Sequence, residues 1–303
     1  EIEVLERDQA QAPGNLQLSI DQRIQSVTYR ELKKAVLSHG ATSGSAIVVD
    51  VLTGEVLAMV NSPSFNPNNR GNAPAYLFRN RAITDTFEPG STMKPLAVLS
   101  ALEFGTASLG DTVNTSPGYM RIGGSWVRDA NNYNDLSLTG IIQKSSNIGV
   151  SKLVLDIPVE HVISLYGNMG LGIDTGMGLN GESSGMLSHR RRWSDFERAT
   201  LSFGYGLSVT AAQLAKVYAT IANGGVNRPL TILKTTETYP GEQVLAPEHA
   251  AAMLEMMEAN IMPGGTATRA QVKGYRVGGK TGTARKAIAG GYGDDYVASF
   301  AGV

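Results

Sequence analysis

Glu88-Pro89-Gly90-Ser91-Thr92-Met93-Lys94-Pro95 is the stretch around which the rest of the chain is organised. Pro89-Gly90 breaks whatever precedes it, and Leu96–Leu102 is apolar and helix-prone, so a helix is predicted to open at Ser91 and run to about Phe104-Gly105. Pro95 fits there because the first N–H groups of a helix have no partner within it. On a helix Ser91 and Lys94 lie on one face, one turn apart, and the amine can reach the hydroxyl. The helix N-terminus adds free N–H groups and partial positive charge beside that hydroxyl. A serine nucleophile needs a base and a place for an oxyanion, and this stretch can supply parts of both. Ser-x-x-Lys is short, however, and most copies are a solvated serine beside a solvated lysine. Two facts add weight here. The pattern occurs once in the chain, and Ser145-Ser146-Asn147 and Lys280-Thr281-Gly282-Thr283 follow it in order.

The totals bound the alternatives. A chain of 303 residues can bury a large core and gives a soft prior of ~2 domains. Hydrophobic residues are 42% and charged residues 17%, a globular balance. A net charge of -1 argues against a nucleic-acid partner, and Arg190-Arg191-Arg192 reads as a solvated turn or a local ion-pairing cluster. With no cysteine there are no disulfides, thiolate catalysis or cysteine metal sites. No apolar run approaches the ~20 residues of a membrane span, and no signal-peptide pattern opens the chain.

The elements read as strands, a mainly helical middle, then strands again. Leu16–Ile20 alternates as a short strand. Asp21 caps a helix running to about Ser38, with Gly40 past its end. Ala46–Val51 and Glu55–Val60 form a hairpin across Leu52-Thr53-Gly54, and residues 61–80 are loop. Residues 106–135 are turn-rich, with Trp126 on a short hairpin. Ser137 caps a helix ending at Ser145-Ser146-Asn147; a second follows to Asp156, and Pro158 opens a third ending near Gly170. Residues 171–192 are glycine-rich loop. Thr210-x-x-Gln213 is a capping box, Leu230–Thr235 a strand, Pro247–Ile261 a helix, and Arg276–Ala284 and Tyr296–Val303 two strands. The fold class expected is α+β: an antiparallel sheet flanked by helices, with a helical subdomain inserted at about 86–200.

Each later motif has two readings. Ser and Asn at a helix junction are ordinarily caps, but a hydroxyl can relay a proton and an amide can both donate and accept. A strand edge at Lys280–Thr283 offers backbone groups to an extended substrate, and Gly282 would let a ligand approach closely. Gly274–Thr281 also fits the phosphate-loop pattern G-x-x-x-x-G-K-[ST], which requires a strand before it and a helix opening at Lys280-Thr281; neither context is present. His39, His161, His189 and His249 have no metal-ligand spacing.

Ser91-x-x-Lys94, Ser145-x-Asn147 and Lys280-Thr281-Gly282 together match the signature of the penicillin-recognising serine enzymes. The wider wording narrows this: Arg79–Asp85, Phe87–Ser91, Gln143–Asn147, Arg192–Asp195, Ser202–Gly206 and Lys280–Ala284 resemble the penicillin-binding protein 3 family, monofunctional class B septal peptidoglycan D,D-transpeptidases of Gram-negative bacteria. The resemblance runs from about residue 16 to the end. It implies a serine β-lactamase/penicillin-binding transpeptidase fold over 16–303, with residues 1–15 a remnant of an N-terminal region or linker. It also implies a cytoplasmic tail, membrane helix and non-catalytic domain before this chain, and a last strand and helix after Val303 that this chain lacks.

The chemistry implied by the resemblance uses no metal and no cofactor. Ser91 attacks the D-Ala-D-Ala carbonyl of a stem peptide, and an amine from a neighbouring stem takes the acyl group. Lys94 is the base, its pKa lowered by burial and by a second cation, Lys280. Ser145 shuttles the proton and Asn147 holds Lys94 and the substrate amide. Backbone N–H groups of Ser91 and Thr283 form the oxyanion hole. Thr281, Gly282, Thr283 and Arg285 bind the substrate's end and its carboxylate. β-Lactams acylate Ser91. The implied setting is the periplasmic face of the inner membrane at the septum, with division-complex proteins, including a glycosyltransferase, as partners. A D,D-carboxypeptidase would use the same residues with water, and a β-lactamase shares them, although no Glu-x-x-x-Asn lies between Asn147 and Lys280. A non-catalytic division-complex binding module is the reading from another class, and the intact triple motif argues against it.

Overall fold

The protein is described by a computed structural model covering residues 14–288 and 290–303, so all but the last two positions of the expected 1–15 remnant lie outside the described residues. Helix α1, Gln22–Ser38, starts where Asp21 Oδ1 accepts from the N–H groups of Arg23 and Ile24, as predicted. It lies on the hairpin of β1, Gly44–Val49, and β2, Val56–Ser62. Gln25 fixes it there by bonding both the N–H and the carbonyl of Met59. Along β2, Val56, Ala58, Val60 and Ser62 alternate inward.

Two predicted strands are absent. Leu16–Ile20 and Leu230–Thr235 contribute only single bridges, Leu18 to Leu233 and Glu55 to Thr231. Each apolar run is too short to extend a ladder: Asp21 turns one into α1, and Thr235 turns the other back onto the buried Glu55 carboxylate, which also pairs with Lys234 at 2.7 Å. The loop expected over 61–80 gives way to a 3₁₀ turn, Ala75–Phe78, and to helix α2, Arg81–Thr84.

Helix α3 is Lys94–Phe104, preceded by a 3₁₀ turn over Gly90–Met93. Every residue from Lys94 to Leu102 is buried, so α3 is the central rod of the core, and Gly105 ends it at φ 82°. Strand β3, Thr112–Asn114, pairs across a long excursion with β6, Asp135–Ser137; inside that excursion β4, Tyr119–Ile122, and β5, Ser125–Arg128, form the predicted Trp126 hairpin. The next helices are α4, Leu138–Lys144; α5, Asn147–Leu155; α6, Val159–Asn168; and α7, Asp195–Ser202. Helix α8, Ala211–Ala222, carries the predicted Thr210/Gln213 capping box. A short pair, β7, Val226–Asn227, with β8, Glu242–Gln243, leads to α9, Pro247–Ile261. One hydrophobic core runs from Met93 through α4–α6, α8 and α9 to Ala301.

The final hairpin is longer than predicted: β9 is Gly279–Ile288 and β10 Gly291–Gly302, with Lys280 opposite Ala301 and Thr283 opposite Ala298. The fold is the expected mixture of helices and antiparallel pairs. Among the described residues the pairs do not join into one sheet, and β1–β2 and β9–β10 share no hydrogen-bonded strand. No helix among the described residues is long and apolar enough to cross a membrane.

Helix α7 has no counterpart among the expected elements, although its start is legible as Ser194-x-x-Glu197. Ser194 Oγ accepts from the Glu197 N–H, and the Glu197 carboxylate takes the Ser194 N–H. Replacing Ser194 with Ala should lower stability by about 1 kcal/mol, read as a shift in urea midpoint at constant m-value.

Candidate active site

Ser91 lies in the 3₁₀ turn ahead of α3 and not within the helix as predicted; the first α-helical residue is Lys94, whose backbone N–H donates to Ser91 O. Backbone packs directly on this turn from both sides. The Gly90 N–H donates to Gly204 O at 3.1 Å, and a Cβ on Gly204 would lie 2.1 Å from Gly90 O. On the opposite side a Cβ on Gly282 would lie 2.7 Å from Pro89 O and 2.5 Å from Ser299 Oγ. Gly282 therefore admits the Ser91 turn against β9. Tyr218 Oη donates to Thr92 O at 3.0 Å from α8. The Glu88 carboxylate accepts from the Gly206 N–H at 2.8 Å and from Tyr292 Oη at 3.2 Å, tying the turn to the far end of β10.

Lys94 is wholly enclosed. Its Nζ donates to the carbonyl and to Oγ of Ser145, at 2.5 and 2.9 Å, and to no other described residue. The expected Ser91–Lys94 hydrogen bond is not formed; apo sites commonly complete such bonds only around substrate. Ser145 reaches Lys94 because it ends α4 in the left-handed region, at φ 56° and ψ 45°, where its carbonyl and its hydroxyl face the same amine. Lys280 is also fully buried, and among the described residues its Nζ donates only to Thr281 O, at 3.2 Å. Burial drives the Lys94 ammonium far below the ordinary lysine range; the Lys280 charge lowers it further, and the Asp129 carboxylate pulls the other way. Burial takes Lys280 down to about 8.

Asn147 opens α5. Its Nδ2 donates to Arg128 O at 2.8 Å and not to the Lys94 environment, which leaves its Oδ1 as the free acceptor. Along β9, Lys280, Gly282 and Ala284 point inward while Thr281, Thr283 and Arg285 share the outer face. Thr283 lines a cleft of about 590 Å³ with Ser91, Asn147, Trp126, Tyr205 and Tyr292. The Thr283 carbonyl lies against Gly90. Arg285 stands opposite Tyr296 with its guanidinium 5.9 Å from that ring, exposed at the end of this row. Thr281 bonds Thr266, whose own hydroxyl hydrogen goes to Asn260 Oδ1, so Thr281 is the donor of that pair and offers a cleft ligand only acceptor lone pairs.

Four residues at this site lie outside the expected set: Glu88, Asp129, Asn260 and Thr266. Glu88 adjoins the motif, but its acceptor role depends on Gly206 and Tyr292, far away in the chain. Asn260, fully buried, bonds Gly279 O and receives Thr266, holding the start of β9 on the end of α9. Asp129 accepts from Ser146 Oγ and from the N–H groups of Asn147 and Ile148.

Residues 44–303 match the penicillin binding protein transpeptidase domain. The chain belongs to this family. It is 50% identical over its whole length to "Peptidoglycan D,D-transpeptidase FtsI" of Escherichia coli K12, covering 51% of that protein. It is 42% identical over 99% of its length to "Probable peptidoglycan D,D-transpeptidase PenA" of Neisseria gonorrhoeae, covering 52% of it. It thus spans about half the length of the curated relatives it matches. The transpeptidase domain of Burkholderia pseudomallei penicillin-binding protein 3, solved without ligand, superposes with a TM-score of 0.87 at 41% identity, over 96% of this chain and 85% of that one. Within this fold Lys280-Thr281 opens a strand, which removes the phosphate-loop reading. Arg190 pairs with Glu197 and stacks on Trp193, as the ion-pairing reading of the arginine run requires. His249 binds Glu103 and His161 packs on Phe104.

A methyl group at Gly282 or Gly204 must push the Ser91 turn aside. Gly282→Ala and Gly204→Ala should each cost ~1–3 kcal/mol in thermal unfolding. Gly206→Ala, where a Cβ meets nothing within 4 Å, should cost less, since only its positive φ is strained.

Proposed function

We propose that this domain cross-links peptidoglycan stem peptides through an acyl-enzyme on Ser91, and that β-lactams trap it by acylating the same oxygen. The observation that carries the reading is the buried Lys94–Ser145 contact within reach of the buried Lys280 charge, one helical turn along the chain from Ser91. A lysine so placed is neutral for an appreciable part of the time and can take the Ser91 proton. The Ser91 oxygen then bonds to the penultimate D-Ala carbonyl carbon, giving a tetrahedral oxyanion that the N–H groups of Ser91 and Thr283 receive. As the bond to the terminal D-Ala nitrogen breaks, the proton passes from Lys94 through Ser145 Oγ to the leaving amine. An amine from a second stem peptide attacks the ester, returns a proton along the same path and restores the Ser91 hydroxyl. Asn147 Oδ1 takes the substrate amide N–H. Arg285 and the Thr283 hydroxyl meet the terminal carboxylate, and Thr281 keeps the strand edge in place through Thr266. The peptidoglycan transpeptidase relatives support peptidoglycan as the substrate. We infer from the same resemblance that the whole protein works at the septum on the periplasmic face of the inner membrane, with stem peptides and a division-complex glycosyltransferase as partners.

Incubation with benzylpenicillin should add one penicillin mass to the intact protein and none to Ser91→Ala. Rapid loss of penicillin without an adduct would replace this reading with a β-lactamase. The acylation rate should rise with pH as Lys94 loses its proton. In Lys280→Gln the neighbouring positive charge is gone, Lys94 holds its proton more tightly, and the acidic limb should move to higher pH; a limb that stays put or moves down would remove Lys280 from this role.

A further inference from the structure

Ser145 is one of two non-glycine residues in the described structure with a positive φ. Such a residue costs roughly 1–3 kcal/mol and persists only where its surroundings over-determine it. On one side the constraint is α4 itself, since the N–H groups of Ser145 and Ser146 fold back onto Ile142 O and Ile141 O. On the other side the constraint comes from outside both helices. The loop that follows β5 presents Asp129, which accepts from Ser146 Oγ at 2.5 Å, from the Asn147 N–H at 2.6 Å and from the Ile148 N–H at 3.1 Å. The adjacent Arg128 carbonyl holds the Asn147 side chain at 2.8 Å. Helix α5 already has a cap of its own, because Ser146 Oγ accepts from the Gly149 N–H. Asp129 therefore does more than satisfy a helix end: it joins the β4–β5 hairpin to the three residues that directly follow Ser145.

We propose that Asp129 is a positioning residue for the acylation of Ser91, its carboxylate clamping the Ser145-Ser146-Asn147 turn so that Ser145 stays on Lys94 Nζ and Asn147 Oδ1 stays toward the cleft. The proposal rests on the transpeptidase reading of Ser91 and Lys94. It also gives the hairpin a function: its inner face, Ile122 and Val127, packs with Ile148 and Ala199, so the clamp stands on a small core of its own. The charged groups acting on Lys94 are Lys280 from β9 and Asp129 from this loop, with opposite effects. Losing the Asp129 charge must therefore shift Lys94 in the direction opposite to losing Lys280.

Asp129→Asn keeps the shape and can still accept from two N–H groups, but it cannot accept from Ser146 Oγ and carries no charge. The test measures benzylpenicillin acylation against pH for wild type, Asp129→Asn, Asp129→Glu and Ser146→Ala, with the Lys94 titration followed by NMR of lysine-labelled protein. In Asp129→Asn the second-order acylation rate should fall roughly ten- to a hundredfold, while the acidic limb and the Lys94 midpoint both move to lower pH. Asp129→Glu, which keeps the charge, should leave the midpoint near wild type. Ser146→Ala should slow acylation without moving the midpoint. A folded Asp129→Asn with wild-type rate and midpoint overturns the proposal, as does a rate loss that only follows the unfolded fraction. If Asp129→Asn does not fold, a wild-type rate in Ser146→Ala overturns it. A wild type that forms no adduct defeats the transpeptidase reading instead, and the Lys94 midpoints then still decide whether Asp129 governs that amine.

Discussion

Two ammonium groups buried within electrostatic reach of each other are the constraint that the rest of the structure serves. Lys94 and Lys280 have essentially no solvent contact, and neither has a carboxylate directly bonded to its amine. Desolvated like charges oppose folding, and they persist only where the surrounding packing holds them. Helix α3 supplies that packing for Lys94: it is buried along nearly its whole length, so the residue at its first position has no route to water. Strand β9 supplies it for Lys280 by alternation, which turns Lys280, Gly282 and Ala284 to the interior while the hydroxyl-bearing residues face out. The same burial that makes the pair costly loosens the proton on Lys94, and a lysine that gives up its proton more readily suits a serine nucleophile.

Much of this was legible in the chain itself, and the failures have physical causes. Helix starts fixed by a local side chain are legible, as at Asp21, Ser137 and Thr210, because the acceptor and its N–H lie within three residues; Ser194 carries the same signal, and α7 is the one such start missing from the expected elements. Elements that depend on distant partners are not. Leu16–Ile20 has strand alternation, yet it can pair only with the equally short run at Leu230, so both end as bridges. The pairing of β3 with β6 spans a whole inserted hairpin, and nothing local marks it.

The site shows the same division. The residue types of the three motifs point to the chemistry, and the structure gathers Ser91, Asn147 and Thr283 around one cleft while Lys94, bonded to Ser145, and Lys280 are buried. Their partners were not legible. That Lys94 is held by Ser145 and not by Ser91, that Asn147 is anchored on Arg128, and that Thr281 is spoken for by Thr266 follow from side-chain contacts between segments far apart in sequence. Gly282 was read as room for a ligand because glycine signals close approach, but sequence cannot say what approaches; here it is the chain's own Pro89 carbonyl.

The glycine contacts around the Ser91 turn bear on how such a domain can change under drug pressure. The turn that carries Ser91 is held largely by main chain: the Gly204 loop packs on the Gly90 carbonyl, and β9 at Gly282 packs on the Pro89 carbonyl beside Ser299. Main-chain shape is shared by every sequence that folds this way, so substitution has little there to redraw. The cleft lining is different. Trp126, Arg128, Tyr205 and Tyr292 are among the residues that line the cleft, and each brings a large side chain to it. An inhibitor that draws its affinity from the main chain of the Ser91 turn faces a surface the gene can scarcely edit, whereas one that leans on these lining side chains faces positions where a single codon changes the wall.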